Sequence, residues 1–116
     1  MSTFNISPSD DIKTVYASPT GTSATTILTA PAALSITVLA IQLANAGAGA
    51  ITVRIERHDG AASWYLVYDL SIAVGGNASI DVPFTIGRGE TVKATTSSAN
   101  DLYVTVTYYL QPKAIG

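Results

Sequence analysis

The sequence predicts an all-β fold, a single antiparallel β-sandwich of about eight strands. Three observations carry that expectation. Alternating or β-branched apolar runs recur with turn residues between them roughly every 8 to 12 residues, the spacing of a sandwich or barrel. No window of helical length combines a 3.6-residue apolar period with capping residues. Finally, 47% of the residues are hydrophobic and only 12% are charged, so a large core must be enclosed by Thr, Ser, Asn, Ala and Gly. A length of 116 residues fits one domain, since domains of roughly 100 to 150 residues are the commonest. A jelly-roll-like topology is preferred over an immunoglobulin-like one, whose Cys, Trp, Cys pattern has no counterpart in a chain without cysteine. No repeat of solenoid or propeller length is present.

Residues 1–11 are polar, with Pro8 and the pair Asp10-Asp11, and read as an N-terminal arm; residues 12–116 read as the sandwich domain. Residues 12–18 alternate Ile12, Thr14 and Tyr16 against Lys13, Val15 and Ala17, an edge-strand pattern ended by Pro19 and Gly21. The Thr-rich run 24–30 forms a second strand, closed by Pro31 because proline cannot donate to a ladder. Residues 34–45 are apolar on both faces, with Leu39, Ile41 and Leu43 on one and Ile36, Val38, Ala40 and Ala44 on the other. Two-sided burial places this strand centrally. The turn 45–50, built of Asn, Ala and Gly residues that tolerate positive φ, then leads to a strand with Ile51, Val53 and Ile55 facing in. Residues 39–55 therefore read as a buried hairpin at the centre of the fold.

Asp59-Gly60 turns the chain into a long strand whose inner row is Trp64, Leu66, Tyr68, Leu70 and Ile72. After Gly75-Gly76-Asn77, the run from Ala78 to Ile86 alternates, with Pro83 marking an edge, a bulge or a sheet switch. Gly87-Arg88-Gly89 is a further turn before a Thr-rich strand. In the last strand Leu102, Val104, Val106, Tyr108 and Leu110 oppose Tyr103, Thr105, Thr107 and Tyr109.

Composition excludes several functions. A net charge of −2 with six scattered Lys and Arg residues leaves no clustered cations for a phosphate backbone, so no nucleic acid partner is expected. The apolar stretch 30–50 is broken by Pro31, Gln42, Asn45 and glycines, and no membrane span is expected. The N-terminus has no basic segment leading into an apolar one, so it does not read as a secretion signal. His58, the sole histidine, lies in Arg54-Ile-Glu-Arg-His-Asp59, yet no serine, cysteine or second histidine accompanies it, and a solvated or interface charge cluster is the reading over catalysis. The aspartates Asp10, Asp11, Asp59, Asp69, Asp81 and Asp101 lack a spaced calcium-loop pattern and read as turn and strand-end residues. Neither metal nor cofactor is expected.

Tyr65, Tyr103 and Tyr109 fall opposite the main apolar rows, where Thr or Lys would be the plain choice. Such tyrosines pack beneath the arm, form a subunit interface or stack on sugar rings. Low surface charge favours the interface, because a soluble surface ordinarily carries about 25–35% charged residues. Phe4 and Ile6 of the arm join these three tyrosines as candidate interface residues.

The pieces Ile41-Gln-Leu-Ala-Asn45, Ile51-Thr-Val-Arg-Ile55, Val74-Gly-Gly-Asn77 and Gly87-Arg-Gly-Glu-Thr-Val-Lys-Ala94, followed by Thr95-Thr-Ser-Ser-Ala-Asn100, resemble small all-β virion proteins of tailed bacteriophages. The resemblance runs over about two thirds of the chain, from Leu34 to Leu110. It implies a non-enzymatic structural role at the capsid surface: a decoration (cement) protein made in the host cytoplasm and bound to the major capsid protein or other virion subunits as a symmetric homo-oligomer, a trimer by preference. A tail or neck component is the alternative within that class, and a carbohydrate-binding module is the alternative outside it.

Overall fold

The computed structural model describes residues 12–32 and 34–112, and the N-terminal arm predicted over 1–11 lies outside the described residues. The described residues contain no helix. Their strands are β1 (Ile12–Ala17), β2 (Thr25–Thr29), β3 (Leu34–Asn45), β4 (Ile51–His58), β5 (Ser63–Ile72), β6 (Asn77–Ile80), β7 (Phe84–Ile86), β8 (Thr91–Thr96) and β9 (Leu102–Pro112). One sheet, here the Tyr sheet, runs β1-β9-β3-β6 with β7 also paired to β3; the other, the Arg sheet, runs β2-β8-β4-β5. Every pairing is antiparallel. This is the predicted sandwich with jelly-roll-like topology. The run predicted over 78–86 is split in two, because Asp81-Val82-Pro83 interrupts the edge and proline cannot donate to the ladder.

The predicted hairpin over 39–55 does not exist. β3 and β4 lie in different sheets, and residues 46–50 carry the chain across the sandwich. A short Asn/Gly/Ala connection serves either geometry, and the expected positive φ is absent from Gly47 and Gly49. What fixes the crossing is Asn45, the last residue of β3 and only 4% exposed. Its Nδ2 donates to the carbonyls of Gly49 (2.8 Å), Ile72 (3.0 Å) and Ala73 (3.2 Å), while its Oδ1 accepts from the Gly47 amide at 2.9 Å. One side chain therefore ties the β3–β4 crossing to the β5–β6 crossing. The Ala46 amide donates to the Asp101 carbonyl at 2.8 Å and brings in the β8–β9 connection. The approach is tight enough that a Cβ on Gly47 would stand 2.8 Å from that of Asp101, so this position requires glycine.

β3 is buried on both faces only in its first half, where Ile36, Thr37 and Val38 are all buried. Its register against β9 skips Leu39, so Ile36 and Val38 before the bulge and Ile41, Leu43 and Asn45 after it all point into the core, while Gln42 and Ala44 are exposed. A one-residue insertion reverses the alternation, which is why a strict two-residue period assigned these residues to opposite faces. A bulge in β2 at Ile27 similarly buries the neighbours Ile27 and Leu28 together. Ile51, Val53 and Ile55 of β4, Val92 and Ala94 of β8, and Leu102, Val104 and Val106 of β9 complete the core between the sheets. At the end opposite Asn45, Arg57 of β4 donates to the Thr85 carbonyl of β7 at 2.8 Å, so a guanidinium links the two sheets beyond the apolar core.

Candidate functional site

The two outward faces of the sandwich differ in charge. On the Arg sheet, Arg54, Glu56 and Lys93 project away from the core, with Glu56 paired to Lys93 in register. Two bulges interrupt the β4–β5 pairing, and of the predicted inner row of β5 Leu66, Leu70 and Ile72 pack on the core while Trp64, 64% exposed, and Tyr68 do not. Asp69 sits in one bulge at φ 55° and accepts from Arg54 Nε at 2.6 Å. The same guanidinium lies 4.2 Å from the Tyr68 ring centroid, and Tyr65 meets Tyr68 edge to face at 4.8 Å. The hydrogen bond to Asp69 holds the Arg54 pKa above the ordinary arginine value. One face of Tyr68 is thereby engaged by a cation and its flank by another ring, leaving less of it for a stacking ligand.

The stretch Arg54–Asp59, whose composition suggested a charge cluster, is dispersed. Arg54 serves Asp69, Arg57 serves Thr85, and His58 Nδ1 accepts from the Gly60 amide at 3.1 Å. Asp59 Oδ1 accepts from the amides of Ala61 (2.9 Å) and Ala62 (2.8 Å), closing the β4–β5 turn. Elsewhere Asp81 accepts from Ser79, Asp101 from Ser98, and Glu90 from the Gly87 amide, while Glu90 Oε1 also lies 4.0 Å from Arg57 Nη2. Among the described residues no three His, Cys, Asp or Glu side chains gather to hold a metal ion.

The Asp59 contact gives a pH prediction. Amides of Ala62 and then Ala61 stabilise the carboxylate and lower its folded-state pKa below the ordinary aspartate value. The stability this supplies is complete above the unfolded-state pKa, near ~4, and is lost as pH falls through the lower folded-state value. In urea titrations, wild type is expected to exceed Asp59→Asn at neutral pH, with the difference closing below pH ~4. A difference that persists unchanged into acid would contradict this assignment.

The outward face of the Tyr sheet carries no charged side chain on its strands. Register brings Thr14 and Tyr16 of β1, Tyr103, Thr105 and Thr107 of β9, Gln42 and Ala44 of β3, and Ser79 of β6 to this side. Tyr103 is 55% exposed and forms a ridge between two grooves. One, of about 460 Å³, runs between it and Tyr16, Ala17 and Asn100. The other, of about 450 Å³, runs between it and Gln42, Ala44 and Ser79. Tyr16, which the sequence placed on an edge strand without a further role, is 77% exposed beside the first groove.

The candidate interface residues do not form one patch. Tyr103 lies outward on the Tyr sheet and Tyr65, 46% exposed, on the Arg sheet. Their faces are separated by the sandwich core. Tyr109, between Ile12 and Thr37 in the ladder, is on the same outward side as Tyr103 but only 3% exposed, so it has little surface to give a partner. Phe4 and Ile6 lie outside the described residues.

No protein-family sequence model and no curated protein matches this chain. Solved structures share its fold. A chain from the acid-stable capsid of Helicobacter pylori bacteriophage KHP30 superposes with a TM-score of 0.59 at 15% identity, covering 91% of this chain and 90% of that one. A chain from Bacillus endospore appendages, described as disulfide-linked pili, gives 0.55 at 16% identity over 90% and 88%. A chain of the T13 particle of the virus IBDV gives 0.52 at 11% identity, covering 100% of this chain but 41% of that one, so the present fold corresponds to less than half of that protein. At these identities the likeness is one of fold.

Proposed function

We propose that this chain is a non-enzymatic structural subunit of a bacteriophage virion, acting as a capsid decoration (cement) protein that binds the shell's major capsid protein as a symmetric homo-oligomer. The observation that carries the reading is the likeness to the KHP30 capsid chain over nine-tenths of both chains. It is supported by the low charge of the sequence and by a core that runs through both sheets, a rigid body suited to bracing a shell. The appendage chain has a similar fold, but a disulfide-linked assembly has no counterpart in a sequence without cysteine. A trimer suits the local three-fold axes of a capsid, and residues 1–11 supply a tie to neighbouring subunits.

Deleting residues 2–11 is expected to leave the sandwich's melting transition in place and to weaken capsid binding by at least about tenfold, equivalent to roughly 1.4 kcal/mol. Equal binding by the truncated chain would remove the arm from the reading. Quantifying the protein in purified particles separates the two virion locations. Hundreds of copies mean decoration, and a dozen or fewer mean a tail or neck ring.

A further inference from the structure

We infer that the outward face of the Tyr sheet, centred on Tyr103, is a docking surface for a second copy of this chain. The inference deepens the proposed function by naming the contact surface, and rests on that reading only in expecting self-association. Charge is the first support. The strand side chains facing outward here are Ile, Thr, Tyr, Gln, Ala, Ser and Asn, whereas Arg54, Glu56, Asp69 and Lys93 are gathered on the opposite sheet. At its margin the Asp81 carboxylate, just past β6, accepts from Ser79 Oγ at 3.0 Å; the strands themselves offer a charged partner nothing to grip. A surface equally free of charge loses no ion hydration when buried against it, and the same face of another copy meets that condition.

Shape is the second support. The face carries both a projection and its receptacles: the Tyr103 ridge stands between grooves of about 460 and 450 Å³, with Tyr16 at the far wall of the first. A copy laid face to face brings its own tyrosine ridge to a groove. Tyrosine is among the side chains enriched in such contacts, because its ring buries a large area while the hydroxyl keeps a polar partner.

The test uses the purified full chain. Sedimentation and light scattering from roughly 1 to 100 µM are expected to show self-association. Tyr103→Lys is expected to weaken it by at least about 30-fold, the loss typical of a central interface aromatic. Because Tyr103 is exposed, the substitution should leave the melting transition unchanged, and Tyr65→Lys on the opposite sheet should leave association unchanged. Since the chain has no cysteine, Thr105→Cys supplies a second readout: oxidation should give a covalent pair from a single thiol position. A monomer throughout the concentration range would overturn the inference and give the face to a different protein. So would association that ignores Tyr103→Lys or responds equally to Tyr65→Lys. A self-associating chain absent from purified particles would sink the virion reading and leave this one standing; a particle-bound chain that stays monomeric would do the reverse.

Discussion

Asn45→Asp is expected to cost about 3 to 5 kcal/mol of folding stability in urea denaturation at neutral pH. The carboxamide is buried at the point where β3 leaves the Tyr sheet, and its Nδ2 faces the carbonyl oxygens of Gly49, Ile72 and Ala73. Replacing that NH₂ with a carboxylate oxygen removes the donor and puts negative charge against three acceptors. The Ile72 carbonyl, buried in this bond, costs about 1 to 3 kcal/mol when left without its donor, and the buried carboxylate charge facing it and the part-buried carbonyls of Gly49 and Ala73 adds to that. Asn45→Leu avoids the charge but abandons the same carbonyls and the Gly47 amide, so it should fall between wild type and Asn45→Asp. A loss below about 1 kcal/mol for Asn45→Asp would mean that the crossings hold without this side chain.

Ile41→Ala is expected to cost about 2 to 5 kcal/mol, and Val53→Ala somewhat less. Both residues are fully buried. Ile41 lies between Val106 and Ile80 in the Tyr sheet, and Val53 between Thr96 and Leu70 in the Arg sheet. Each truncation removes apolar area from the seam between sheets and leaves a cavity that a sheet held by ladder bonds on both sides cannot close. Assembly should be lost only in proportion to unfolding. A mutant that stays folded with wild-type stability but no longer associates would place Ile41 or Val53 at a contact between subunits.

The sandwich was legible because strand identity is local. β9 announces itself through Leu102, Val104 and Val106 against Tyr103, Thr105 and Thr107, and the structure keeps that alternation from Leu102 to Thr107. Pro83, read as an edge, a bulge or a sheet switch, falls in the break between β6 and β7, which both pair with β3. What was not legible is which strand sits beside which. Residues 45–50 contain the same Asn, Gly and Ala signals whether the chain folds back within a sheet or steps to the other one, and here the deciding contacts are made with Ile72, Ala73 and Asp101, distant in sequence.

Bulges hid the rest. The extra residue at Leu39 and the irregular pairings of β5 change side-chain phase without a distinctive residue type, so alternation places Tyr68 inward where the structure exposes it; Trp64 keeps its side, level with Arg57, but lies past the core and is exposed. The outward placement of Tyr65 and Tyr103 followed from alternation alone. Their separation onto opposite sheets did not, and neither did the burial of Tyr109, because both depend on three-dimensional neighbours and not on position within a strand.

The position of β9 also sets an order in time. It is the last described strand in sequence, yet it lies inside its sheet, hydrogen-bonded to β1 on one side and β3 on the other. Until it inserts, β1 and β3 have no partner in common and Tyr103 has no sheet to stand on. Pairings between segments so far apart along the chain form slowly, on the millisecond-to-second scale of all-β domains, because the intervening loop must close first. A half-made chain emerging from the ribosome therefore lacks the uncharged surface that a finished one carries. Until then the edges of β1 and β3 that β9 will cover stay unpaired, so the incomplete fold is most exposed to wrong strand pairing before its last described strand is in place.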